Sequence, residues 1–153
     1  MTKILSIMIY GIGIYLFVIL IMFIFQRSLL YQPSKEKLNI SYYNNTGLEK
    51  INFTTLDGIL LESLFKKPSK SENNTIVVFH GNAGHIGHRV HKFKPFIDEG
   101  YGLLLLEYRG YGENKGKPSE KGLYMDGEAA LHFLTKHDIP IHKTILYGES
   151  LGC

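Results

Sequence analysis

Hydrophobic and polar positions follow two different rhythms along this chain. From Ile4 to Phe25 no residue is charged, and the apolar run is interrupted only by Ser6, Gly11 and Gly13. Such a run is apolar on every side of a helix, unlike the one-sided stripe of a helix that covers a soluble core. Its 22 residues would rise about 33 Å, close to the roughly 30 Å hydrocarbon layer of a bilayer. A cleavable leader would have a shorter apolar stretch followed by small residues, whereas Phe25-Gln26-Arg27 follows here. Residues 1–27 are therefore expected to be an uncleaved anchor that enters the membrane through 4–25.

From Glu49 onward the apolar residues come in short runs. Ile51 and Phe53, then Leu60, Leu61 and Leu64, flank Leu56-Asp57-Gly58, and an Asp-Gly turn between extended runs predicts a hairpin. Ile76-Val77-Val78-Phe79 is unbroken, as in a strand buried on both faces. A helix is expected over 86–98, with Val90, Phe93 and Ile97 on one face and Gly100 past its end. Leu103 to Leu106 forms a second buried strand. Ser119 caps a second helix lasting to about His137, with Leu123, Ala130, Phe133 and Leu134 inward. After Pro140, residues 144–147 make a third strand. This alternation predicts an α/β class, a mainly parallel sheet with helices on both faces. Residues 28–48, polar from Pro33 to Thr46, read as a linker to a domain over 49–153.

Composition narrows the function. The 153 residues hold 17 Lys and Arg against 14 Asp and Glu, a net charge of +3. Past residue 27 the surplus is a single charge, too little for a nucleic-acid binder that relies on phosphate neutralisation. The one cysteine, Cys153, excludes a disulfide framework and a cysteine zinc site. Lys3 precedes the apolar run while Arg27, Lys35 and Lys37 follow it, so the positive-inside bias puts the main domain in the cytoplasm, by a narrow margin.

Gly148-Glu149-Ser150-Leu151-Gly152 matches G-x-S-x-G directly after a predicted buried strand. In that context the turn lifts the serine hydroxyl above the sheet, and both glycines remove side chains that would clash. His80-Gly81-Asn82-Ala83-Gly84 closes the first parallel strand, where a glycine-rich loop can bring a backbone N–H to a developing oxyanion. A phosphate cradle is the rival reading, since Gly81, Gly84 and Gly87 precede a helix and Glu107 stands where a ribose-binding acid would. The spacing G-x-x-G-x-x-G is not the dinucleotide fingerprint, and no Lys-Ser/Thr pair follows. His85, His88 and His91 recur every third residue, but no carboxylate or cysteine nearby in sequence completes a metal set, so a polar helix face is expected.

The stretches His80 to Arg89, Tyr108-Arg109-Gly110-Tyr111-Gly112, Lys117 to Asp126 and Tyr147 to Gly152, with Gln26 to Pro33 after the anchor, resemble the Bem46 branch of the α/β-hydrolases. The resemblance runs along nearly the whole chain in order. It implies a membrane-anchored serine hydrolase acting on an ester or thioester of a lipid or acyl group. Ser150 would be its nucleophile and the amides of Asn82 and Leu151 its oxyanion hole, with no cofactor or metal. Glu107 departs from the Asp usual before Tyr-Arg-Gly, and its longer arm is expected to shift its contact with Arg109. In this fold the acid and the histidine follow the serine, yet all seven histidines precede Ser150. The chain is therefore expected to be the front part of a hydrolase, inactive alone. The alternative is a non-catalytic membrane-tethered fragment that binds a partner or a complementing C-terminal half.

Overall fold

The computed structural model describes residues 2–153 and comprises two compact units, one ending at Tyr31 and one running Gln32–Cys153. Helix α1 (Thr2–Leu30) continues past the expected run through Arg27 and Ser28. Its apolar side chains point outward all round, and even Ile21, the least exposed of the large ones, is 39% exposed. A helix that shows this much Leu, Ile and Phe has no aqueous solution to its packing, which makes α1 a candidate membrane span.

The second unit begins earlier than its polarity suggested. Strand β1 (Gln32–Pro33) pairs in parallel with β5 (Ala83–Gly84). The Gln32 N–H donates to the Asn82 carbonyl at 3.1 Å, and the Ser34 carbonyl accepts from the Gly112 N–H at 2.8 Å. Residues expected as linker over 28–48 thus divide between α1 and the folded unit. Polar side chains mark a surface segment, but they do not tell whether its backbone groups find partners.

A five-stranded sheet forms the centre, in the order β2 (Glu49–Thr54), β3 (Leu60–Lys66), β6 (Gly102–Leu106), β4 (Thr75–Phe79), β7 (Thr144–Gly148). Strands β2 and β3 form the predicted hairpin, with Phe53 opposite Leu61 and Gly58 at φ +82° in the turn. Strand β3 is antiparallel to β6, while β6, β4 and β7 run parallel, so four of the five strands share one direction. Alternate residues face opposite layers. Val77, Leu104 and Leu106 pack with Ala130, Phe133 and Leu134 of α3 (Glu120–Lys136). Ile76, Val78, Leu103 and Leu105 pack with Val90, Phe93 and Ile97 of α2 (Val90–Asp98). Helices therefore cover both faces, as the α/β pattern predicted.

Polar side chains cap α3 and the turn that leads into α2. The Ser119 Oγ accepts the Gly122 N–H at 3.2 Å at the head of α3, an interaction worth about 1 kcal/mol. The helix expected from residue 86 is a 3-10 turn, Ile86–Arg89, before α2 proper begins. His85 caps that turn, its Nδ1 accepting the Gly87 N–H at 3.1 Å.

Candidate active site

Strands β4 and β7 run side by side, with Phe79 opposite Gly148, so the segments that leave their carboxyl ends are neighbours. The Glu149 N–H donates to the Phe79 carbonyl at 3.0 Å. Ser150 then adopts φ +54°, a left-handed conformation that costs a non-glycine residue about 1–2 kcal/mol. The flanking glycines make the turn possible. A Cβ on Gly148 would lie 2.6 Å from the Gly152 carbonyl oxygen, and one on Gly152 would press into the Phe79 carbonyl group, 2.6 Å from its carbon. Leu151 and Gly152 complete a single 3-10 turn after the serine. A sharp, strained strand-to-turn junction with the serine at its apex is the geometry of a nucleophile elbow.

The loop after β4 lies against this turn. A Cβ on Gly81 would stand 3.4 Å from the Glu149 carbonyl oxygen and 3.7 Å from the Ser150 Cβ, in ordinary van der Waals contact, so the loop lies directly beside the turn. Each carbonyl from Gly81 to His85 meets a donor. Gly81 O lies 2.7 Å from the His80 Nδ1, and Asn82 O accepts from the Tyr111 hydroxyl at 3.0 Å as well as from Gln32. Ala83 O and His85 O accept from the Arg89 guanidinium at 2.8 and 3.2 Å, and Gly84 O from the Ser34 N–H at 3.4 Å. Fixing the carbonyls fixes the direction of the amides between them, since each peptide is planar.

Glu149 ties the elbow to the neighbouring helix. Its carboxylate lies 3.7 Å from Arg89 and 3.5 Å from Lys92, whose ammonium also sits 4.9 Å above the centre of the Tyr147 ring. Neither contact was foreseen, because the residue between Gly148 and Ser150 is free to vary in the motif.

The histidine triplet separates. His91 is exposed, whereas His85 is fully buried and its ring lies 4.0 Å from that of half-exposed His88. A carboxylate does reach them: Glu36, from the supposed linker, stands 3.4 Å from the His85 Nε2 and 3.6 Å from the His88 Nε2. It also accepts the Tyr42 hydroxyl at 2.9 Å, the main reason its pKa is lowered. Burial, and then the nearby His88 charge, lower the pKa of His85, so its ring is neutral at neutral pH. Because Nδ1 accepts from Gly87, the ring's proton sits on Nε2 and faces Glu36. This tautomer offers a proton where a metal ion needs a lone pair. Glu36 thus reads as a carboxylate held by the Tyr42 hydroxyl with two imidazoles close by, and nothing in the local sequence signalled it.

Glu107 is buried inside the fold. Its Oε1 lies 3.1 Å from the His80 Nε2, and its Oε2 accepts the Ile86 N–H at 3.1 Å, so it does not stand as a ribose-reading acid. The expected contact between Glu107 and Arg109 is replaced by another. Arg109 pairs with Asp57 at 2.6 Å and with buried Asp126 at 2.8 Å, because its side chain extends toward α3 and the β2–β3 turn. The rings of His80, His85 and His137 are all occupied away from Ser150, on Gly81 and Glu107, on Gly87 and Glu36, and on the Phe133 carbonyl.

No protein-family model matches the chain. It is 34% identical over 137 residues to protein bem46 of Schizosaccharomyces pombe, covering 84% of this chain and 46% of that protein. It is 35% identical over 136 residues to the alpha/beta hydrolase domain-containing protein WAV2 of Arabidopsis thaliana, covering 84% and 44%. A membrane protein of Saccharomyces cerevisiae, YNL320W, is 36% identical over 106 residues, covering 68% and 37%. Among solved structures, the Pyrococcus furiosus esterase Pf2001 superposes with a TM-score of 0.64 at 18% identity, over 80% of this chain and 48% of the esterase. An alpha-beta hydrolase from Vibrio vulnificus gives 0.62 at 24% identity, over 71% and 37%. The likeness to the solved structures is one of fold. The chain spans about half the length of the curated relatives it matches.

Proposed function

From a chain that belongs to the Bem46-like α/β-hydrolases, we propose a membrane-anchored serine hydrolase that cleaves an ester or thioester of an acyl group. One observation carries the reading: Ser150 sits at φ +54° at the end of a parallel strand, between two glycines with no room for a side chain. In the reaction the Ser150 Oγ attacks the acyl carbonyl, and the electron pair of the C=O moves onto oxygen. The amides of Asn82 and Leu151 receive that oxyanion. A base takes the serine proton and returns it to the departing alkoxide or thiolate, and water then releases the acyl group by the same steps in reverse. In this fold the acid and the histidine follow the serine in chain order, and the base is accordingly assigned to the part of the relatives' length beyond this chain's match. Helix α1 anchors the enzyme as a single span, with the hydrolase unit on the cytoplasmic side, a placement supported by Arg27, Lys35 and Lys37 after the apolar run.

The test is fluorophosphonate labelling of the chain extended by the C-terminal half of protein bem46. Label is expected on Ser150, absent from Ser150→Ala and at least about a thousandfold slower without the extension. Label that survives Ser150→Ala, or none in the extended protein, refutes the reading. A second reading rests on β7, where Ile145 and Leu146 are 41% and 56% exposed: a tethered fragment that pairs with a separate complementing half. Copurification of such a half without any label would favour it.

A further inference from the structure

We propose that His80, steadied by Glu107, is a positioning residue for the oxyanion loop, setting the direction of the Asn82 amide through the Gly81 carbonyl. The inference rests on the serine-hydrolase reading for its purpose, but not for its geometry. A carbonyl oxygen only accepts, so the 2.7 Å contact between Gly81 O and His80 Nδ1 requires a proton on Nδ1. On the ring's other side Nε2 lies 3.1 Å from the Glu107 Oε1, a close approach of two buried atoms that form no hydrogen bond to each other or to any other described group. Both side chains are buried, so the Glu107 carboxylate backs the ring on the side away from Gly81 while Nδ1–H points at Gly81 O.

Glu107 is itself held from two directions. Its Oε2 takes the Ile86 N–H at 3.1 Å, and its own backbone N–H donates to the Ser63 Oγ at 3.1 Å. The His80 ring packs against both Tyr108 and Tyr111, with centroids 4.4 and 5.0 Å away, so a swing toward either would displace an aromatic ring. The Gly81–Asn82 peptide is trans and planar, so its N–H points opposite its C=O. Holding the carbonyl on His80 turns the Asn82 amide to the other side. The next carbonyl, Asn82 O, is held by Tyr111 and Gln32, which restrains the peptide that follows.

Asparagine and glutamine separate the two ends of the ring. An Asn amide can place its N–H near the Nδ1 position and still reach Gly81 O, whereas a Gln amide reaches toward Glu107 and leaves Gly81 O without its donor. In the full chain in detergent micelles, with 15N-labelled histidine, the wild type should show His80 Nδ1 bearing a slowly exchanging proton. In the chain extended as above, His80→Asn should be labelled by fluorophosphonate within about tenfold of wild type, the scale of one hydrogen bond. His80→Gln should be slowed at least about a hundredfold, the scale of a lost oxyanion donor. An unprotonated Nδ1, or His80→Gln labelled as fast as His80→Asn, overturns the proposal. If no form is labelled, the hydrolase reading fails, while the Nδ1 proton still decides whether His80 holds the loop.

Discussion

Arg109 offers the sharpest test of what holds the site's framework together. Its backbone N–H and Nε donate to Asp126 at 2.9 Å each, and its Nη2 lies 2.8 Å from the same carboxylate, which has no exposed surface. Its other side makes two bonds, 2.6 and 2.9 Å, to Asp57, which lies at the edge of the fold and whose pKa this guanidinium holds well below the usual carboxylate range. Arg109→Ala strands the Asp126 carboxylate with a single backbone donor in a closed interior. Removing one partner of a buried pair costs about 3–5 kcal/mol. Asp57→Ala breaks a solvent-screened pair and should cost much less. Arg109→Met with Asp126→Leu, which removes both charges, should recover a large part of the single-variant loss, because no charge is left buried. Denaturant unfolding of the full chain in micelles can be followed by tyrosine signal, since the sequence has ten Tyr and no Trp. An Arg109→Ala variant within about 1 kcal/mol of wild type, or an Asp57→Ala variant as damaged as it, would refute this account of the network.

Two further outcomes follow from the geometry. Gly152→Ala should abolish labelling of Ser150 in the extended protein, because the new Cβ would force the turn away from the Phe79 carbonyl; retained labelling would show that the turn can shift freely. Stability should fall on acidification in two stages. His85 is held neutral in the fold, so its contribution is complete above the unfolded value of 6.5 and is lost as pH drops below it. Glu36, lowered chiefly by the Tyr42 hydroxyl, adds a second loss below 4.5. His85→Asn should flatten chiefly the first stage in a pH series of unfolding midpoints, the Glu36 stage keeping its main cause in Tyr42, and an unchanged slope in the first stage would contradict the assignment.

The sheet was legible because its signals are local. Four-residue apolar runs between turn residues have few other uses, and the alternation of Ile76, Val77 and Val78 between two helix layers follows from the pleat alone. The tight turn around Ser150 was legible for a related reason, as Gly148 and Gly152 are demanded by atoms within a few ångströms of it. The boundary at residue 49 was not legible. Gln32 and Ser34 join the folded unit through main-chain bonds, which leave no trace in side-chain character. Glu36 was missed for the complementary reason, since its partners His85 and His88 lie some fifty positions away and only folding brings them together.

That division has a physical consequence for the site. The turn at Ser150 is shaped by its own five residues and one neighbouring carbonyl, that of Phe79, but the loop that would receive the oxyanion is held by several distant residues: Gln32, Ser34, Arg89, Glu107 and Tyr111. A glycine-rich loop cannot hold itself, because glycine permits many other conformations. Rigidity must come from outside, as donors to each carbonyl. Two of those donors, the backbone N–H groups of Gln32 and Ser34, belong to the stretch that follows α1 directly in sequence. Any variant that disturbs residues 32–34 should therefore loosen the Asn82 peptide while leaving the φ of Ser150 unchanged, and the two halves of the site can be separated by mutation.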